Sequence, residues 1–350
     1  MMLHLVSAFR SSGVQAELVL GRDRGSRRAP PDVPCTVLRG RTALGIVLRL
    51  AVYLRRERPD ALLSTLAQAN VLAVVAKLLS GTSARVYLRE ANTLGVSVRH
   101  AGRSLKAQLL PLLARWCYPR ADGIIAVSPG VADDLAQITK IDRSRQHVLK
   151  NPVITPDTFA RANAPCSHPW LADHALPVVL AVGRLVRQKN HALLLDSFAM
   201  VRAKLPCRLI VLGEGPDRTR LAQRVDALGI GEAVSMPGYE GNPLCYMSRA
   251  DLFVLSSAWE GSPNVLVEAL ACGCPVVSTD CPSGPRQILA DGDLGLLVPP
   301  GDAAALADAM ISALTHPRRT ELPPHQLRAY RSDAVAREYL RVLSTCPANH

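Results

Sequence analysis

Glu260 and Glu268 stand eight positions apart in the segment Ala250–Pro285, ADLFVLSSAWEGSPNVLVEALACGCPVVSTDCPSGP. The apolar run Asp251–Ser256 reads as a strand that ends just before Glu260. Ser262 then reads as an N-cap, Pro263 as a first helical residue and Gly273 as a stop, which predicts a helix over Pro263–Cys272. The first amides of that helix, on Asn264, Val265 and Leu266, lack intrahelical acceptors and suit phosphate oxygens. Glu268 follows one turn further in. Two carboxylates around a phosphate-binding helix start suit a ligand with hydroxyls at both ends and a diphosphate between, the chemistry of a nucleotide-sugar. Each charged hydrogen bond to a hydroxyl is worth roughly 1.5–3 kcal/mol. The spacing alone would equally describe two solvated acids on a helix face, and it gains meaning only from its surroundings.

Two further clusters stand at predicted strand ends. Gly183-Arg184-Leu185, followed by Gln188-Lys189-Asn190, places two cations five residues apart, where they can neutralise a diphosphate and the charge it develops on leaving. A salt-bridged surface pair is the bland alternative. Gly213-Glu214-Gly215-Pro216 permits a tight turn and close approach of a ligand, or is a plain turn. Arg218 interrupts a Gly-x-Gly-x-x-Gly pattern, so a nicotinamide fingerprint is absent. Asp291-Gly292-Asp293 spells a metal-binding Asp-x-Asp, but Asp-Gly is ordinary turn chemistry and no metal is expected.

The elements that must position these groups follow a strand-then-helix rhythm. In the second half, strands are predicted at Val178–Val182, Leu209–Leu212, Asp251–Ser256 and Pro275–Thr279, with a helix marked by Leu194, Phe198 and Val201. In the first half, Met1–Arg10 reads as a helix, Val14–Gly21 as a strand, and Ala43–Arg56 as a helix. Strands follow at 61–65, 85–88 and 123–127, with helices at 67–79 and 104–117. Such alternation gives parallel sheets with helices on both faces, and ligands bind beyond the carboxyl ends of the strands. Asn151–His174 contains Pro152, Pro156, Pro165 and Pro169 with little periodicity and reads as a linker. The expected organisation is α/β, with two Rossmann-like doubly wound domains, 1–160 and 170–328, facing a cleft. The closing helix around Ser332–Leu343, within 330–346, is expected to return to the first domain. A length of 350 residues suits two domains.

Composition narrows the function. No run reaches the roughly 18 apolar residues of a membrane helix, and no signal peptide is expected at Met1–Arg10. Nine scattered cysteines without a Cys-x-x-Cys pair suit reduced thiols in a cytoplasmic protein. The net charge of +12 resides wholly in residues 1–175, with 24 Lys/Arg against 12 Asp/Glu; residues 176–350 carry 17 of each. A basic half faces something anionic or is simply solvated. Aromatic residues make up only 4%, so stacking platforms are scarce and no nucleic acid is expected. The helix 104–117 groups Leu105, Leu109, Leu112, Leu113 and Trp116, with Arg103, Lys106, Arg115 and Arg120 nearby and a kink expected at Pro111. Two readings stay open for it: core packing, or a basic amphipathic helix on an anionic membrane surface.

The motifs AVGRLVRQKN, VLGEGPDR, Pro237-Gly238-Tyr239, EGSPNVLVEALACGCPVVSTDCPSGP and GLLVPPGD together resemble the donor half of the retaining GT-B glycosyltransferases of family 4. The likeness is specific over about 178–303 and weaker at IIAVSPG (124–130) and LKNPV (149–153). The phrasing resembles enzymes that extend lipopolysaccharide, capsule or lipid-linked oligosaccharides.

The resemblance implies a transfer from a nucleotide-sugar, with uracil favoured over guanine, to a glycan or lipid-linked acceptor, at the inner face of the cytoplasmic membrane. It implies that Glu268 holds the ribose hydroxyls and Glu260 the donor sugar hydroxyls, without Glu260 acting as a nucleophile. Arg184 and Lys189 would bind the diphosphate with the amides near Asn264–Leu266, the loops at Gly183 and Gly213 would approach the donor, and Gly238 and Tyr239 would lie near the base. Arg89-Glu90-Ala91-Asn92 resembles the acceptor-side segment in altered order; Glu90 reads as a structural carboxylate, with acceptor contact or base as the alternative. Family members open with a strand and a Gly-Gly turn, and this sequence starts after both. A non-catalytic, truncated nucleotide-sugar binder and a nucleotide-sugar epimerase on the same fold are the competing readings.

Overall fold

The computed structural model describes residues 1–22, 33–100, 105–173, 175–317 and 322–345. Arg103 and His174 fall outside that set, as do the side chains of His100, Leu105 and Lys106. The chain divides into two units, Met1–Pro152 with Ala329–His350, and Val153–Arg328.

The first unit runs α1 (Met2–Ser11), β1 (Leu18–Leu20), β2 (Cys35–Val37), α2 (Ala43–Glu57), β3 (Ala61–Thr65), α3 (Ala67–Ser80), β4 (Arg85–Glu90), α4 (Leu94–His100), α5 (Leu105–Cys117), β5 (Gly123–Ala126), α6 (Pro129–Thr139) and β6 (Gln146–Val148). Strands β3-β4-β5-β6 form a parallel sheet in sequence order, and β1 and β2 form a separate parallel pair. Local signals set the helix ends. Thr42 caps α2 by accepting from the Gly45 amide, and Ser128 caps α6 with Pro129 in its first turn. Val14, expected to open a strand, donates its amide to Phe9 and closes α1, so β1 starts four residues later.

The second unit runs α7 (Thr158–Asn163), α8 (Trp170–Asp173), β7 (Val178–Val182), α9 (His191–Arg202), β8 (Arg208–Leu212), α10 (Arg218–Ala227), β9 (Val234–Gly238), α11 (Leu244–Met247), β10 (Leu252–Leu255), α12 (Asn264–Ala271), β11 (Val276–Thr279), α13 (Pro285–Ile288), β12 (Leu296–Val298), α14 (Ala303–Thr315) and α15 (Pro324–Ala329). Its six parallel strands are ordered β9-β8-β7-β10-β11-β12. This is the doubly wound order, and the strand direction of growth reverses between β7 and β10, the position at which sheets of this kind bind their ligands.

The segment read as a linker is a correction. Residues 153–173 carry α7 and α8 and are tied into the second unit. Arg161 donates to Gly241 O (3.2 Å), Asn242 donates to Arg161 O (2.8 Å), and Ser248 donates to Ala162 O (2.7 Å). All four prolines lie outside the two short helices, so they punctuate structure rather than exclude it.

Strand alternation sorts the first unit's core. Val86, Leu88, Ile124 and Ala126 meet α2, α3, α5 and α6 on one face. Tyr87 and Ile125 meet α1 and the last helix, α16 (Ser332–Thr345), on the other. Arg89 is almost wholly buried, and its guanidinium donates to three neutral oxygens: Tyr339 Oη (3.1 Å), Thr65 Oγ1 (3.0 Å) and Asn151 Oδ1 (2.6 Å). This network binds α16 to β3 and β4. In α5, Ala114 and Cys117 enter the core, whereas Leu109, Leu112, Leu113 and Trp116 are exposed. Pro111 sits inside α5, which continues through it as one helix.

Candidate functional site

The loops after β7 and β10 flank the point where strand order reverses. Lys189 Nζ lies 2.5 Å from Glu260 Oε1, and the two side chains are only 17% and 6% exposed. Ser257 donates to the same carboxylate oxygen at 2.6 Å. The backbone is braced on both sides. The Ala258 amide donates to Gln188 O (2.8 Å), the Gln188 side chain to Trp259 O (3.0 Å), and Ser256 Oγ to Lys189 O (2.9 Å). Thr279, at the end of β11, fixes Ser257 through its carbonyl at 2.6 Å. A buried ion pair held in this way fixes a cation and an anion side by side in a low-dielectric setting. Arg184 is exposed at the mouth of the same loop. His191, the first residue of α9, is buried; burial foremost, then the Lys189 charge, pushes its pKa down to about 4, so its ring is neutral.

The glycines answer first to the meeting of backbones. The Leu185 amide donates to Glu214 O, and the Gly213 amide to Gly238 O at 2.7 Å, so the loops after β7, β8 and β9 are joined. A Cβ on Gly213 would stand 1.9 Å from Gly183 O, at φ +142°. A Cβ on Gly215 would stand 2.2 Å from Leu185 O. Gly183 leaves room for the stem of Lys189, which passes 3.4 Å from where its Cβ would be. Gly238 ends β9 rather than forming a free turn, and Tyr239 beyond it is 77% exposed.

Helix α12 begins at Asn264, one residue later than expected. Pro263 has ψ 100° and is itself the N-cap, so Ser262 does not cap the helix and Pro263 is not its first residue. The Leu266 amide donates to Pro263 O at 3.1 Å and is already committed, which corrects the reading of three ligand-facing amides. Burial raises the pKa of Glu268, and the charge of Arg161 holds it down. Arg161 escaped the sequence analysis because it sits in the supposed linker, far from Glu268 in sequence. Ser257 escaped too, although Ser-x-x-Glu before a helix was legible.

Glu90 lies in the first unit at the end of β4, 3% exposed. It accepts from the Tyr118 hydroxyl and from Asn70 Nδ2 (2.8 Å). Asp291 is in a left-handed turn 3.6 Å from Arg286. Among the described residues no group of three or more His, Cys, Asp or Glu is placed to hold a metal ion.

Two Rossmann-like halves, the second with a buried ion pair at its switch point, define the GT-B architecture of glycosyltransferases. Residues 1–152 match the glycosyl transferase 4-like domain, and residues 168–330 match glycosyl transferases group 1. The chain belongs to this glycosyltransferase family. It is 35% identical over 231 residues to an N-acetylgalactosamine-N,N'-diacetylbacillosaminyl-diphospho-undecaprenol 4-alpha-N-acetylgalactosaminyltransferase of Campylobacter jejuni, covering 65% of this chain and 60% of that relative. It is 28% identical to a lipopolysaccharide core biosynthesis glycosyltransferase of Rhizobium meliloti, covering 99% of this chain and 95% of that one. Among solved structures, an Anabaena protein, HepE, in complex with UDP-glucose superposes with a TM-score of 0.73 at 20% identity, covering 96% of this chain and 90% of that one. The apo form of a lipopolysaccharide outer core galactosyltransferase gives 0.72 at 20%, covering 98% and 94%.

Proposed function

We propose that this chain transfers a sugar from a nucleotide-sugar, a UDP-hexose or UDP-N-acetylhexosamine, to a growing lipid-linked cell-surface glycan at the inner face of the cytoplasmic membrane, with retention at the anomeric carbon. The observation that carries the reading is the buried Lys189–Glu260 pair at the switch point. The lipid-linked acceptor named for the Campylobacter relative and the UDP-glucose in the Anabaena structure support it. Lys189 and Arg184 hold the diphosphate with the first amides of α12. Glu268 takes the ribose hydroxyls, Glu260 the sugar hydroxyls, and the Gly238–Tyr239 segment lies by the base. The acceptor oxygen attacks the anomeric carbon on the face the diphosphate leaves. The bond to phosphate oxygen breaks as the new glycosidic bond forms, and the acceptor proton passes to the departing diphosphate. Glu260 stays a hydrogen-bonding group, already engaged by Lys189 and Ser257.

The first experiment is calorimetric titration with UDP and GDP, repeated on Glu268→Ala. Selective UDP binding that weakens by roughly 2–4 kcal/mol in the variant is expected from lost charged hydrogen bonds. Unchanged affinity would remove the ribose assignment. Turnover of a donor without any acceptor, to an altered free nucleotide-sugar, would mean an epimerase; binding without turnover on membrane acceptor would mean a non-catalytic binder. The proposed reaction uses no metal, so EDTA is expected to leave the transfer rate unchanged.

A further inference from the structure

The first unit carries an apolar surface that its own fold does not use. On α2, Leu44, Leu48 and Val52 are spaced by four and are 67%, 52% and 63% exposed. The opposite face of α2, with Val47, Leu50, Ala51 and Leu54, already fills the core. On α5, Leu112, Leu113 and Trp116 are 64%, 47% and 49% exposed, while Ala114 and Cys117 face inward. Helix α3 packs between α2 and α5 and exposes Leu78 and Leu79 at its end. All three helices lie on the same side of the sheet, so their outward faces adjoin in one layer. The next helix, α6, exposes Asp133 and Gln137 and is followed by exposed Lys140, and the apolar surface stops there.

The charge on this layer is predominantly basic. Glu57 is the single acid within α2, α3 and α5, against exposed Arg49, Arg55, Arg56 and Arg115. Arg120, just past α5, lies over the Trp116 ring at 3.9 Å, and Arg55 donates to Leu79 O and Ser80 O at 2.8 Å, tying α2 to α3. Leucine and tryptophan amid arginine, with Glu57 the one acid and paired to Arg56 at 3.3 Å, match the boundary between acyl chains and anionic head groups. A second copy of the chain on this face would set arginine against arginine.

We propose that the outward faces of α2, α3 and α5 form one platform that lies on an anionic lipid surface. The platform deepens the lipid-linked acceptor reading and rests on it for its purpose, though not for its existence.

The test is co-sedimentation of the purified chain with phosphatidylcholine vesicles, with and without phosphatidylglycerol, for wild type, Leu48→Asp, Leu112→Asp and Arg56→Glu/Arg115→Glu. Binding is expected only with phosphatidylglycerol, weakening as salt rises. Each variant is expected to lower the partition coefficient on the order of tenfold, about 1.4 kcal/mol. These positions are exposed, so the thermal melt and UDP affinity should stay as in wild type. Undiminished binding by Leu48→Asp would confine the contact to α5 and overturn the platform. Equal binding to pure phosphatidylcholine, no binding to either vesicle, or self-association relieved by Leu48→Asp would overturn the anionic-lipid assignment. Loss of UDP binding in wild type, with vesicle binding intact, would sink the donor-site reading and leave the platform standing.

Discussion

Replacing Glu90 with glutamine should change how the stability of the protein depends on pH. The Glu90 carboxyl is buried, and desolvation raises its pKa from the ordinary 4.5 to about 7; hydrogen bonds from Tyr118 and Asn70 and the Arg89 charge oppose the rise, and Asp134 adds to it. At about 1.4 kcal/mol per pH unit, this amounts to roughly 3 kcal/mol of pH-dependent stability. Below 4.5 both folded and unfolded chains hold the proton, and the contribution is fully present. As pH rises towards 7 the unfolded chain ionises while the folded one keeps its proton, so stability falls. Above about 7 the whole contribution is lost. Glu90→Gln stays neutral throughout and keeps an oxygen for Tyr118. In urea denaturation the stability of the variant relative to wild type should therefore improve by roughly 2–3 kcal/mol between about pH 5 and about pH 8. His147, His168 and His191 have pKa values lowered chiefly by burial, so their contributions run the other way, lost as pH falls. They are common to both chains and cancel in the comparison. Parallel pH curves for wild type and variant would refute the reasoning.

Breaking the Lys189–Glu260 pair by Lys189→Met should cost roughly 3–5 kcal/mol, because it strands a buried carboxylate. The double variant Lys189→Met/Glu260→Gln should cost clearly less than the sum of its parts, and additive losses in a denaturation cycle would show that the two groups are not coupled. Gly213→Ala should destabilise by at least ~2 kcal/mol, since its Cβ meets Gly183 O at a positive φ. Gly231→Ala, with open space and no positive φ, should change the melt by no more than about 0.5 kcal/mol; equal melts for the two variants would contradict the close approach of the loops.

The sequence by itself determined the parallel α/β architecture, because apolar strands and 3.6-period helices are written locally and each buries its own stripe. It also determined that Glu260 and Lys189 leave the ends of two strands, β10 and β7, since both follow short Val- and Leu-rich runs. It did not determine that these strands are neighbours. That follows from the order β9-β8-β7-β10-β11-β12, set by which helices cover which sheet face, and only this order brings residues 71 positions apart to 2.5 Å. Arg161 reached the neighbourhood of Glu268 for the same reason: its segment lacks periodicity and is fixed by hydrogen bonds to residues some 80 positions away. The leucines of α2 and α5 show the converse limit. Periodicity in a helix apolar on two sides cannot say which side is inside, and the sheet decided it by packing against Leu50 and Ala114 and leaving Leu48 and Leu112 in solvent.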